Sequence, residues 1–171
     1  MSKSMNRRTF VKKSAVLTAA TGTLGAAIGN NVLGANDKLN VAIIGCGRMG
    51  QSNLNVQKGT GLVNIVAVCD VYDPHLQRAL EMTEGKAMGY TNFRSVLDRK
   101  DVDAVVIASP DHWHALQTTL ACEAGKDVFV EKPSSTTVAE GRRMVQVARR
   151  TGKIVQVGTM QRSSEVFQNT V

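Results

Sequence analysis

Residues 41 to 50 read Val-Ala-Ile-Ile-Gly-Cys-Gly-Arg-Met-Gly, an apolar run that passes without a break into G-x-G-x-x-G. The run has the composition of a strand buried on both faces, and the glycines require it to turn at once into a helix. Gly45 permits the tight turn, Gly47 lets backbone approach an anion, and Gly50 lets the helix press against the strand. Helix-end N–H groups then face that anion, with Arg48 and Met49 inside the same loop. The anion that suits such a loop is the pyrophosphate of a dinucleotide.

Beyond the loop, β-branched runs alternate with helical stretches. Strands are expected at Leu39 to Ile44, Val63 to Asp70, Ala87 to Gly89, Asp103 to Ser109, Asp127 to Glu131 and Lys153 to Gly158. Helices are expected at Met49 to Lys58, His75 to Thr83, Phe93 to Arg99, Trp113 to Ala124 and Val138 to Thr151. Thr136 or Thr137 can cap the last of these ahead of Glu140, and Gly152 closes it. The alternation predicts an α/β fold, a Rossmann doubly wound parallel sheet. Glu165 to Val171 begins another helix that stops after about two turns, so the chain reads as a fragment ending inside a helix.

The second expected strand ends at Asp70, twenty residues after Gly50. A carboxylate there accepts hydrogen bonds from the adenosine ribose and repels a 2′-phosphate, which favours NAD and leaves NADP possible if Arg48 or Arg78 compensates. Two further strand ends carry polar clusters, Ser109-Pro110-Asp111-His112-Trp113-His114 and Glu131-Lys132-Pro133. Both belong to the carboxyl edge of the sheet, where a cofactor crevice opens, and both are expected at the nicotinamide end with Trp113. The blander reading makes His112 and His114 a helix cap and its packing partner, and Lys132 a surface lysine.

These three ordered motifs, with Gly158-Thr159-Met160-Gln161-Arg162, resemble the glucose-fructose oxidoreductase / inositol dehydrogenase (Gfo/Idh/MocA) family over about Leu39 to Val171. The resemblance implies an NAD(P)-dependent oxidoreductase that moves a hydride between nicotinamide and a sugar, cyclitol or related polyol. It implies that Lys132 is the catalytic residue of the proton relay, and that Ser109, Pro110, His114 and Glu131 face the cofactor beside Lys132. Burial next to a charged nicotinamide would press the Lys132 ammonium toward neutrality. The family carries a second α/β domain that completes the substrate site and makes oligomer contacts, so a homo-oligomer is expected only of a complete protein. Two other functions fit the motifs: an NAD-dependent redox-assisted glycosidase and a non-catalytic dinucleotide-binding module. Exported glycosidases of that kind tend to lack the lysine, which sets Lys132 on the dehydrogenase side.

The formal charge of +7 invites a nucleic-acid reading, but Lys3, Arg7, Arg8, Lys12 and Lys13 contribute five of it before the first acid, Asp37. The remainder is nearly balanced and aromatics make up 4%, so neither a phosphate footprint nor a stacking platform is present, and no nucleic-acid partner is expected. Asn6-Arg7-Arg8-Thr9-Phe10-Val11-Lys12 instead resembles a twin-arginine export signal, and the uncharged stretch from Ser14 to Asn36 ends in Leu33-Gly34-Ala35, a small-residue cleavage site. The expected organisation is an export signal over 1–35, an NAD(P)-binding domain over 36–162, and the start of a helix over 163–171. The location is then periplasmic, reached through the twin-arginine machinery, or membrane-tethered by an uncleaved signal. Cys46, Cys69 and Cys122 lack metal-ligand spacing, so no metal is expected and all three read as small buried residues. A reactive thiol at Cys46 is the alternative.

Overall fold

A computed structural model of the chain describes residues 38–169. The expected export signal lies outside the described residues. Six strands form, β1 (Leu39–Ile44), β2 (Val63–Cys69), β3 (Met88–Tyr90), β4 (Ala104–Ile107), β5 (Asp127–Glu131) and β6 (Val155–Gly158). They make one sheet in the order β3-β2-β1-β4-β5-β6, and every neighbouring pair is parallel. β1 and β4 are adjacent although two strands separate them in sequence, so the winding reverses between them and a crevice opens at their carboxyl ends.

Alternation along β1 explains why both faces are covered. Val41 and Ile43 pack with Leu54 of α1 (Arg48–Thr60) and Leu76 of α2 (Asp73–Met82). Ala42 and Ile44 pack on the other face with Phe93 of α3 (Phe93–Leu97), Ala121 of α4 (Asp111–Glu123) and Val147 of α5 (Val138–Thr151). Parallel strands buried on two sides need this continuous apolar sequence. Among the described residues no helix is long and apolar enough to cross a membrane.

α5 has the expected bounds because its signals are local. Thr137 Oγ1 accepts from the Glu140 N–H at 3.2 Å while Glu140 Oε2 accepts from the Thr137 N–H at 3.0 Å, and Gly152 closes the helix at φ 67°. Elsewhere the ends move. α4 starts at Asp111, two residues before the expected Trp113, because Pro110 stands at the N-cap and the Asp111 carboxylate suits the first turn. β2 stops at Cys69, which leaves Asp70 just past the strand. β3 and β6 start later than expected, and β4 is trimmed at both ends. α3 ends at Leu97 rather than Arg99. A 3-10 turn, Met160–Ser163, follows β6, and α6 (Glu165–Gln168) forms within the expected terminal helix.

Candidate functional site

The glycine turn is closed on two sides and open on one. Gly45 adopts φ +88°, donates its N–H to Cys69 O at 2.8 Å, and lies so close to β4 that a Cβ would strike the backbone of Ala108 and Ser109. A Cβ on Gly50 would strike the carbonyl of Gly45. Gly47, the N-cap of α1, meets nothing nearer than the His75 ring at 3.7 Å, and no side chain caps the helix there. The free N–H groups of the first turn therefore face space that a diphosphate fits. Arg48 is exposed beside that space.

Asp70 fastens this turn. Its Oδ2 accepts from the Cys46 N–H at 2.7 Å and its Oδ1 from the Tyr72 N–H at 2.8 Å, with His75 Nδ1 3.6 Å from Oδ2. Gln51 Nε2 donates to Cys46 O at 2.9 Å from the other side. Asp70 was expected to accept from ribose hydroxyls, and in the fold each of its oxygens also holds a backbone N–H. A carboxylate oxygen has two lone-pair sites, so capacity for a ribose hydroxyl remains.

A cleft of about 440 Å³ opens beside Asp70, lined among others by Gly45, Phe93, Arg94, Pro110 and Trp113. The Phe93 and Trp113 rings stand 6.1 Å apart edge to face, and the Arg94 guanidinium lies 4.7 Å over Phe93. Ser109 lines the same cleft and donates its hydroxyl to Gln117 Oε1 at 2.6 Å. The cluster at 109–114 was expected at the nicotinamide end. The structure sets Ser109, Pro110 and Trp113 of this cluster in the cleft that holds Asp70, with Trp113 against Phe93.

His114 points inward and is 1% exposed. Its Nδ1 lies 2.7 Å from Pro133 O and its Nε2 2.7 Å from Ser109 O, so one ring bridges the loops that follow β4 and β5. His112 is exposed inside the first turn of α4 and caps nothing, since Pro110 holds the N-cap.

On the far side of the turn a second cleft, about 420 Å³, is lined by Met49, Lys132, Gly158, Met160 and Arg162 among others. Lys132 is exposed at the mouth of this cleft. Glu131 is 3% exposed; its Oε1 accepts from Asn53 Nδ2 at 2.9 Å and its Oε2 from the Lys132 N–H at 3.3 Å. Its carboxylate lies behind Gly158 at the cleft and is tied to α1 through Asn53.

Asn53 and Gln117 lie outside the three motifs. Asn53 follows Gly50 by three residues and so shares its inward face, and Gln117 stands in the same relation to His114. A polar residue on an otherwise packed helix face was the available signal. Cys46 and Cys69 are buried, and their thiols are pushed up to about 12 by that burial and by the Asp70 charge, which removes the reactive-thiol alternative at Cys46.

The chain matches a family described as an oxidoreductase family with an NAD-binding Rossmann fold over residues 39–159. It is similar to inositol 2-dehydrogenase of Salmonella typhimurium, 34% identical over 126 residues that cover 72% of this chain and 38% of that one. A glycosyl hydrolase family 109 protein of Shewanella baltica is 31% identical over 174 residues, 87% of this chain and 38% of that one. Among solved structures, the WlbA dehydrogenase of Chromobacterium violaceum, in complex with NADH and UDP-GlcNAcA, has a TM-score of 0.67 and 30% identity over 72% of this chain and 35% of that one. The chain spans about 38% of the length of the curated relatives it matches.

Proposed function

The chain belongs to the Gfo/Idh/MocA oxidoreductases, whose Rossmann domain binds NAD, and on that premise we propose that it serves a dehydrogenase acting on the CH–OH group of a sugar, cyclitol or related polyol. One observation carries the reading: the glycine turn lies between a cleft holding Asp70 and a cleft holding Lys132. Asp70 accepts from the adenosine ribose and repels a 2′-phosphate, so NAD is preferred to NADP. The first turn of α1 holds the diphosphate, with Gly47 admitting it.

When bound, the nicotinamide supplies the hydride acceptor or donor. Lys132 takes the proton from the substrate hydroxyl as the alcohol becomes a carbonyl, and returns it in the reverse direction. The residues 1–35 direct export by the twin-arginine route to the periplasm, and the enzyme containing this domain forms a homo-oligomer.

Titration of the full chain with NADH and then NADPH, exciting Trp113 and following energy transfer, tests the cofactor assignment. Saturable transfer with NADH preferred is the expected result; no transfer from a folded chain overturns it. The similarity to a glycosyl hydrolase family 109 protein favours a second reading, glycoside cleavage through transient oxidation. Release of nitrophenol from a nitrophenyl glycoside with catalytic NAD, by the enzyme containing this domain, would select that reading over the dehydrogenase.

A further inference from the structure

Glu131 is a buried carboxylate, and among the described residues no cation pairs with it. Both of its oxygens accept, one from the neutral amide of Asn53 and one from a backbone N–H. Those partners satisfy its hydrogen bonds and leave its charge uncompensated. Burying a charge this way is costly, and a site that retains it has a use for the field.

The field has a definite address. A Cβ placed on Gly158 would come within 3.0 Å of Glu131 Oε2, so the carboxylate lies directly behind the wall that Gly158 gives to the second cleft. The same cleft is lined by two cationic residues, Lys132 and Arg162. An oxidised nicotinamide brings a further positive charge to such a cleft and a reduced one brings none. With lysine and arginine alone the cleft would select the reduced form; a buried carboxylate beneath it offsets that bias.

We propose that Glu131 sets the redox-state selectivity of the cofactor site, holding the oxidised nicotinamide against the two cations that line the cleft. The inference rests on the NAD-binding reading above. Asn53 is the positioning residue: it anchors the carboxylate to α1, the helix that receives the diphosphate, so the charge is fixed relative to the rest of the cofactor. Gly158 contributes by lacking a side chain that would separate the carboxylate from the cleft.

The test is the ratio of dissociation constants for NAD⁺ and NADH, measured calorimetrically on the full chain and on Glu131→Gln and Glu131→Asp. Glu131→Gln keeps the size of the group and removes the charge, and is expected to shift the ratio toward NADH by about tenfold, the scale of one uncompensated charge in a partly buried site. Glu131→Asp keeps the charge and is expected to retain the wild-type ratio within about twofold. A purely structural role would weaken both forms together, so an unchanged ratio in a folded Glu131→Gln overturns the proposal. If Glu131→Gln fails to fold, loss of the wild-type ratio in Glu131→Asp overturns it equally. Failure of the wild-type chain to bind either form would instead overturn the cofactor reading itself.

Discussion

The carboxylate of Asp70 holds the backbone N–H of Cys46 at 2.7 Å, joining the end of the second strand to the middle of the glycine turn. One residue thus shapes the phosphate-binding backbone and faces the cleft expected to take the ribose. Asp70→Ala should therefore lose both properties, with about 1–3 kcal/mol of stability lost through the stranded Cys46 N–H. Urea unfolding checks the first, and a fall in NADH affinity with little change in NADPH affinity checks the second.

Gly47 and Gly50 separate binding from folding. Gly50→Ala forces a methyl onto the Gly45 carbonyl and should destabilise the chain by about 1–3 kcal/mol or more. Gly47→Ala meets only open space and the His75 ring at an ordinary distance, so its stability should stay within about 1 kcal/mol. The methyl would nevertheless occupy the approach to the first turn of α1, and NADH affinity should fall at least about tenfold. Equal stability loss in the two variants would contradict the assignment.

His114 should prove a stability residue as well as a site residue. Its replacement by Ala removes the ring that lies between the carbonyls of Ser109 and Pro133, strands whichever carbonyl accepts its N–H, and opens a cavity, together worth about 3 kcal/mol. Chemical denaturation measures the loss, which should exceed that of His112→Ala, an exposed position.

The buried thiols predict an alkaline limit. Cys46 and Cys69 titrate near 12 in the fold against the ordinary value of 9.0, with burial the leading cause. The unfolded chain loses these protons first, so stability is whole below pH 9 and falls as pH rises from 9 toward 12. Unfolding curves at pH 8 and 10.5 should show the decline, and Cys69→Ala should make it shallower.

Lys132→Ala should leave NADH affinity on this chain within about threefold, because the residue lines the cleft from an exposed position. In an enzyme containing this domain the same change should lower turnover by about 10² or more. Turnover that survives would remove Lys132 from the proton relay.

What could be read in advance followed the range of the interaction that fixed it. The glycine turn and α5 were legible because steric limits and the Thr137–Glu140 box act within a few residues. The β1–β4 switch followed from the alternation of strands and helices and the glycine motif between the first pair. Asn53 with Glu131 spans 78 positions, and no local pattern records that pairing. The start of α4 at Asp111 is local to Pro110 at its N-cap, whereas the pairing of Trp113 with Phe93 joins two helices and leaves no local trace. Lys132 was found by motif, but its exposure is a property of how the β5 end meets the rest of the edge.

The bridge from His114 to Pro133 and the strut from Asn53 to Glu131 have a kinetic corollary. The polar ties at the carboxyl edge, including that between Cys46 and Asp70, close loops of 19, 24 and 78 residues. The longest requires β5 in place beside β4, so the finished nucleotide site is a property of the assembled sheet. A dinucleotide therefore recognises the completed sheet and stabilises it by mass action. Cofactor capture becomes the chain's own signal that folding has ended.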